Sequence, residues 1–275
     1  MKYIQQPILF GLQLFLFSFL VVNFGGCQQP SSTTTNADDA PDLKNLILLK
    51  DTLSGPYQIN ILAQDSLLDK NETLYIQIKD STGKPLENKE LSYSMRMDMG
   101  MMSHGGPYAP IVKLGNGLFK AEVVFIMANM EGMGKGWLFE GVINKKDSIS
   151  IPLQVHKAPN LRTTAVNSLE DGRFFVSCIL PQKTTAGIQK VDFTLHKIEQ
   201  HNFPPLDGYS LEVEPFMPDM GHGSSNNEPA QGRGEGHYQG TINLSMPGLW
   251  QIKVRLFKNG NKAVEEELIF PIQVI

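Results

Sequence analysis

From residue 57 onward, apolar and polar side chains alternate with a period of two. In TLYIQIKD (73–80), Leu74, Ile76 and Ile78 share one face, and Tyr75, Gln77 and Lys79 the other. SISIPLQVH (148–156) aligns Ile149, Ile151, Leu153 and Val155. KVDFTLHK (190–197) aligns Val191, Phe193 and Leu195, and LWQIKVRLF (249–257) aligns Trp250, Ile252, Val254 and Leu256. This period marks half-buried strands, and no comparable helical period is present. DSTGKP (80–85) and KNGNK (258–262) have the Gly, Asn and Pro content of turns. The expected fold class is all-β, built from antiparallel sandwiches of immunoglobulin-like architecture.

The strand pattern occurs twice. With Met99 set against Met217, Leu91, Tyr93, Met95 and Met97 fall opposite Tyr209, Leu211, Val213 and Pro215. Downstream, GLFKAEVVFIM (117–127) matches GHYQGTINLSM (236–246) without a gap, which places Met127 opposite Met246. A tryptophan follows each methionine: Trp137 in the first copy and Trp250 in the second. Such self-similarity predicts an internal duplication. A division near KAPN (157–160) gives two tandem domains, 45–157 and 160–275.

The N-terminus carries a targeting pattern. Lys2 precedes an apolar run at 8–24, and Gly25-Gly26-Cys27 follows. Small residues before a cysteine at this distance resemble the lipobox of a bacterial lipoprotein signal peptide. That resemblance implies removal of 1–26, lipidation of Cys27 and a polar tether over 27–44. An uncleaved anchor is the alternative, since the run approaches the roughly 20 residues that span a bilayer. The lipoprotein reading anchors the chain to a membrane of the bacterial cell envelope. Gln28 and Gln29 do not resemble an inner-membrane retention signal, so the expected location is the outer membrane, facing the periplasm.

Composition narrows the partners. A formal net charge of −4, with no basic run, argues against nucleic acid. Cys178, the other of two cysteines, sits in RFFVSCILP and is expected as a small buried hydrophobe. No CxxC or thiolate cluster is present, which excludes a thiolate metal site.

The methionines carry the chemical signal. Of 12, all but Met1 lie in 95–133 or 217–246, whereas core filler would be scattered over all strands. MGMMSHG (99–105) and MPDMGHG (217–223) both read Met-x-x-Met-x-His-Gly. Thioethers and imidazole form a natural donor set for Cu(I). The candidate ligands are Met99, Met102 and His104 in the first copy, and Met217, Met220 and His222 in the second. Met127 and Met246 end equivalent strands and are candidates for a further thioether. Met133 rivals Met127, because it stands four residues before Trp137 as Met246 stands four before Trp250. Met95 and Met97 are expected in the core, and Trp137 and Trp250 as buried anchors. A packing cluster at the sandwich rim remains the alternative to metal. His156 and His196 fall on polar strand faces and are expected in solvent. His237 could approach the second cluster, although its counterpart Leu118 speaks against it.

The order Met-x-x-Met-x-His-Gly, loop, Gly-x-aromatic, alternating strand, Met and nearby Trp resembles the YtkA-like (FixH-related) domain family. The second copy carries the resemblance most fully, in PFMPDMGHG and GEGHYQGTINLSMPGLWQIKV. The resemblance implies a small β-sandwich of the bacterial envelope, associated with copper handling and oxidase assembly. Two functions follow as expectations. One is a lipid-anchored binder of copper or silver that sequesters the ion or delivers it to an efflux or oxidase-assembly protein. The other is an interaction module that docks on another envelope protein. No catalytic arrangement is present: there is no Gly-x-Ser-x-Gly motif and no His-x-His pair, so an enzyme is not expected.

Overall fold

The computed structural model describes residues 41–181, 184–200 and 202–275. The expected signal peptide, Cys27, most of the tether and His201 lie outside these residues. Among the described residues, no helix is long and apolar enough to cross a membrane.

The chain is a succession of strands. The first half holds β1 (Ile47–Ser54), β2 (Tyr57–Ala63), β3 (Leu67–Leu68), β4 (Asn71–Lys79), β5 (Leu91–Asp98) and β6 (Ser103–Gly105). It continues with β7 (Val112–Gly115), β8 (Leu118–Val124), β9 (Gly136–Ile143), β10 (Asp147–Leu153) and β11 (Val155–His156). They make a five-stranded sheet in the order β1-β2-β4-β8-β7 and a four-stranded sheet in the order β10-β9-β5-β6. The short β3 and β11 pair in parallel. One core joins the two main sheets: Ile59, Ile76, Phe119 and Val123 pack with Met95, Met97, Trp137 and Phe139. On the outer face of the larger sheet, Leu62, Tyr75 and Leu118 form a second small cluster, covered by Leu43 and Leu46.

The second half holds β12 (Thr163–Ser168), β13 (Gly172–Ile179), β14 (Gly187–Lys197), β15 (Tyr209–Met217) and β16 (His222–Gly223). β17 (Glu228–Gly234), β18 (His237–Leu244), β19 (Gly248–Lys258), β20 (Asn261–Lys262) and β21 (Leu268–Val274) complete it. Here the pairing is continuous, β12-β13-β14-β18-β17-β15-β19, because β17 hydrogen-bonds to both β18 and β15. In the first half β7 pairs only with β8 and β6 only with β5, so those two sheets stay separate. Val191, Phe193 and Leu195 of β14, and Trp250, Ile252, Val254 and Leu256 of β19, are all fully buried in one core. The period-two reading of these strands thus picked out their inner faces. The turn in KNGNK is a two-residue hairpin link, with Asn259 and Gly260 both at positive φ, as type I′ turns require.

Cys178 is buried within the second core, and His196 is buried outside it. Burial pushes the Cys178 thiol up to about 12. His196, expected in solvent, is instead buried, because the segment 202–206 folds back over it: Pro205 bridges His196, and Lys197 N–H donates to the Pro204 carbonyl. His156 is exposed, as expected. Burial, assisted by the nearby His237, lowers the His196 pKa from 6.5 to about 4.

Two outcomes are expected. A histidine held neutral by folding costs stability once the unfolded chain can protonate, so stability is full above pH 6.5 and falls as pH drops toward 4. The loss is on the order of 3 kcal/mol. His196→Leu should flatten that acid slope in urea titrations between pH 7 and 4. In a Cys27→Ser chain, a thiol reagent should label Cys178 only after denaturant is added; rapid labelling of the native protein would contradict its burial.

Candidate metal centre at the sandwich rims

Each half ends a strand with a hairpin that returns a histidine to the edge of the core. In the first, β5 and β6 pair Met97 with His104 and Asp98 with Ser103, leaving 99–102 as the turn. In the second, β15 and β16 pair Met217 with His222, leaving 218–221 as the turn. Direct cross-strand partners share a sheet face with Cβ atoms about 5 Å apart. The structural partner of Met217 is therefore Met97 rather than Met99. The tryptophans agree: Met97 lies opposite Trp137, and the Phe216–Gln251 pair carries Met217 to Trp250. One extra ladder pair in the first hairpin places Met99 beyond the strand, in the turn. Both Met97 and Met217 are buried, and the Met217 methyl packs on Gly248, where any Cβ would collide with it.

The histidines are held alike. His104 Nδ1 lies 2.8 Å from the Gly105 carbonyl, and His222 Nδ1 lies 2.9 Å from the Gly223 carbonyl. A carbonyl only accepts, so Nδ1–H donates; in the neutral form of such a ring, Nε2 carries the lone pair. Each ring also meets a tryptophan edge-on: His104 and Trp137 have centroids 5.6 Å apart, and His222 and Trp250 6.4 Å apart.

The tryptophans in turn hold the rim methionines. Trp137 Nε1–H donates to the Met127 carbonyl at 2.8 Å, and Trp250 Nε1–H to the Met246 carbonyl at 3.0 Å. Met127 and Met246 are thus counterparts, which decides the rivalry with Met133. That residue lies exposed in the 130–135 loop, braced by Asn129, whose side chain donates to the Leu153 carbonyl.

The first site brings two donors together. His104 Nε2 lies 3.3 Å from Met127 Sδ, and both residues are partly buried. With metal–nitrogen and metal–sulfur bonds of about 2.0 and 2.3 Å, a 3.3 Å separation subtends roughly 100° at a shared ion. That angle suits a three- or four-coordinate soft cation. In the second site the histidine, tryptophan and methionine carbonyl recur, with Met246 exposed.

The remaining candidates are spread out. Met99 is partly buried against the first core, while Met102 and Met220 are exposed on their turns. His237 does not approach the second site: it pairs with Thr194 at the far end of β18 from Met246 and neighbours His196. Among the described residues, no group of three or more His, Cys, Asp or Glu is placed to hold a metal ion. Met97, expected in the core, is fully buried there, and its pairing with His104 makes it the inner neighbour of the rim.

Trp137→Phe removes the indole N–H and leaves the Met127 carbonyl without its donor. A destabilisation of about 1–3 kcal/mol is expected, read by urea unfolding followed by circular dichroism. Trp250→Phe should behave alike, and an unchanged midpoint in both would show that the pair contributes nothing.

None of the curated proteins compared with the chain is similar to it. Among solved structures, the Escherichia coli adhesin FdeC is 16% identical over 82% of this chain and 66% of its own, with a TM-score of 0.26. InvD of Yersinia pseudotuberculosis is 12% identical over 76% of this chain and 54% of its own, with a TM-score of 0.26. Domains 5–6 of the S-layer protein SbsC are 8% identical over 84% of this chain and 97% of their own, with a TM-score of 0.30. The chain thus spans from about half to two-thirds of the FdeC and InvD chains. A family model described as YtkA-like matches residues 174–255, from β13 to β19, and so takes in the second hairpin, His222, Met246 and Trp250. Within this chain, the likeness to the YtkA-like family is thus carried by residues 174–255.

Proposed function

We propose that this chain binds a soft monovalent cation, Cu(I) or Ag(I), at the rim of each sandwich. The observation that carries the reading is the 3.3 Å approach of His104 Nε2 to Met127 Sδ, with Nδ1 committed to a carbonyl. A hydrogen bond at one ring nitrogen orients the other as a metal ligand and raises its basicity. Thioether and imidazole donors favour Cu(I) over hard cations, and neither changes charge on binding it. The second rim offers His222 and Met246 in the same order. Each histidine ring stands edge-on to a buried tryptophan, which holds it in place.

In the full reading the protein is anchored through Cys27 to the outer membrane, facing the periplasm. It holds copper in reserve or passes it to an efflux or oxidase-assembly protein, with no catalytic step of its own.

Titration of the Cys27→Ser mature chain with Cu(I), under reducing conditions against a chromogenic chelator, should reach about two equivalents. The double variant His104→Ala, Met127→Leu should lose one, and His222→Ala, Met246→Leu the other. Retention of both equivalents in either variant would falsify the assignment. Absence of uptake, together with a protein partner cross-linked through the same rims, would favour the interaction module instead.

A further inference from the structure

The two rims differ in what surrounds the seat. At the first, the turn 99–102 and the loop 130–135 lie against each other, since a Cβ at Gly134 would collide with the Asp98 carbonyl and the Gly100 nitrogen. Gly134 takes φ +60° and Gly100 φ +80°, so both can fold where a side chain would hold the segments apart. The touching turns carry four solvent-facing thioethers. Met101 is 102% exposed, Met102 66%, Met133 44% and Met130 36%. Folding ordinarily withdraws such side chains from water, and four unburied methionines on two adjoining turns gain nothing in packing. At the second rim, the turn 218–221 carries Pro218, Asp219, Met220 and Gly221, with Met220 its sole thioether.

We infer that the exposed methionines of the first rim are an exchange surface that takes a Cu(I) ion from an outside donor and passes it inward to His104 and Met127. This rests on the proposed function and adds an inequality between the sites: the first loads quickly, the second slowly. The step is ligand substitution. Each move forms one Cu–S or Cu–N bond and breaks one, the copper stays Cu(I), and no proton is transferred. Flexible thioethers suit this role because they are uncharged at every pH and hold the ion weakly enough to release it. Asp98 does not oppose them as a hard ligand, since its Oδ1 accepts from the Gly100 N–H.

The test measures transfer from the Cu(I)–bicinchoninate complex to the full mature Cys27→Ser chain by stopped-flow absorbance. A His222→Ala, Met246→Leu background leaves only the first site. There, replacing Met101, Met102, Met130 and Met133 together by Leu should slow transfer at least tenfold, while saturation still reaches one equivalent. In the reciprocal His104→Ala, Met127→Leu background the same four changes should leave the rate unaltered. Adding Pro218→Met and Asp219→Met to that background should speed loading of the second site several-fold. An unchanged rate at the first site overturns the exchange surface and leaves the seats standing. Loss of the equivalent from the fourfold variant also overturns it, by making those methionines ligands of the seat. A parent chain that takes up no Cu(I) overturns the proposed function and the exchange surface together.

Discussion

An indole N–H buried in a dry sandwich core must find an acceptor, and at both rims of this protein it finds the carbonyl of a methionine. Trp137 and Trp250 are fully buried, and their hydrogen bonds run to Met127 and Met246 where the preceding strands end. The bond ties the point at which a strand leaves the sheet to a fully buried ring of that core. At the first rim it places a thioether beside a histidine brought there by the neighbouring hairpin. Core packing and rim chemistry are thus coupled through one donor–acceptor pair.

The histidines are positioned by the same economy of backbone groups. Each ring donates Nδ1–H to the carbonyl of the glycine that follows it, and stands edge-on to the tryptophan. Two of its degrees of freedom are removed without any charged neighbour. Around the first seat this yields an imidazole nitrogen and a sulfur at bonding separation from a common point; around the second, the same framework stands with its methionine more open. Between the two, the elaboration of the turns differs most, and exposure of thioethers follows turn sequence rather than strand geometry.

The strands themselves are conventional in their physics. Alternation places one set of side chains inside, and the second half continues its pairing through β17, whereas the first leaves its two sheets apart. His196 is one exception to the inside–outside rule, beside Tyr75, Gln77 and Thr194. A polar-face histidine became buried because the return segment 202–206 bonds to the edge of its strand and covers it. Its Nδ1 and the Thr194 hydroxyl have no partner among the described residues.

Sequence alone determined the strand faces, the all-β class and the identity of the buried tryptophans, because period-two alternation and side-chain size are local properties. It also offered His104, His222, Met127 and Met246 among nine candidate ligands, since residue type and motif spacing survive in one dimension. Register did not. Met99 and Met217 share a motif, yet an added ladder pair sends Met99 into a turn and makes Met97 the partner of His104. Hairpin register depends on how many backbone pairs close before the turn, which motif spacing does not encode. Tertiary structure likewise decided between Met127 and Met133, through a carbonyl that the indole could reach. It decided the fate of His196 and His237, because what covers a strand's outer face, and which end of it faces the rim, follow from the path of distant segments.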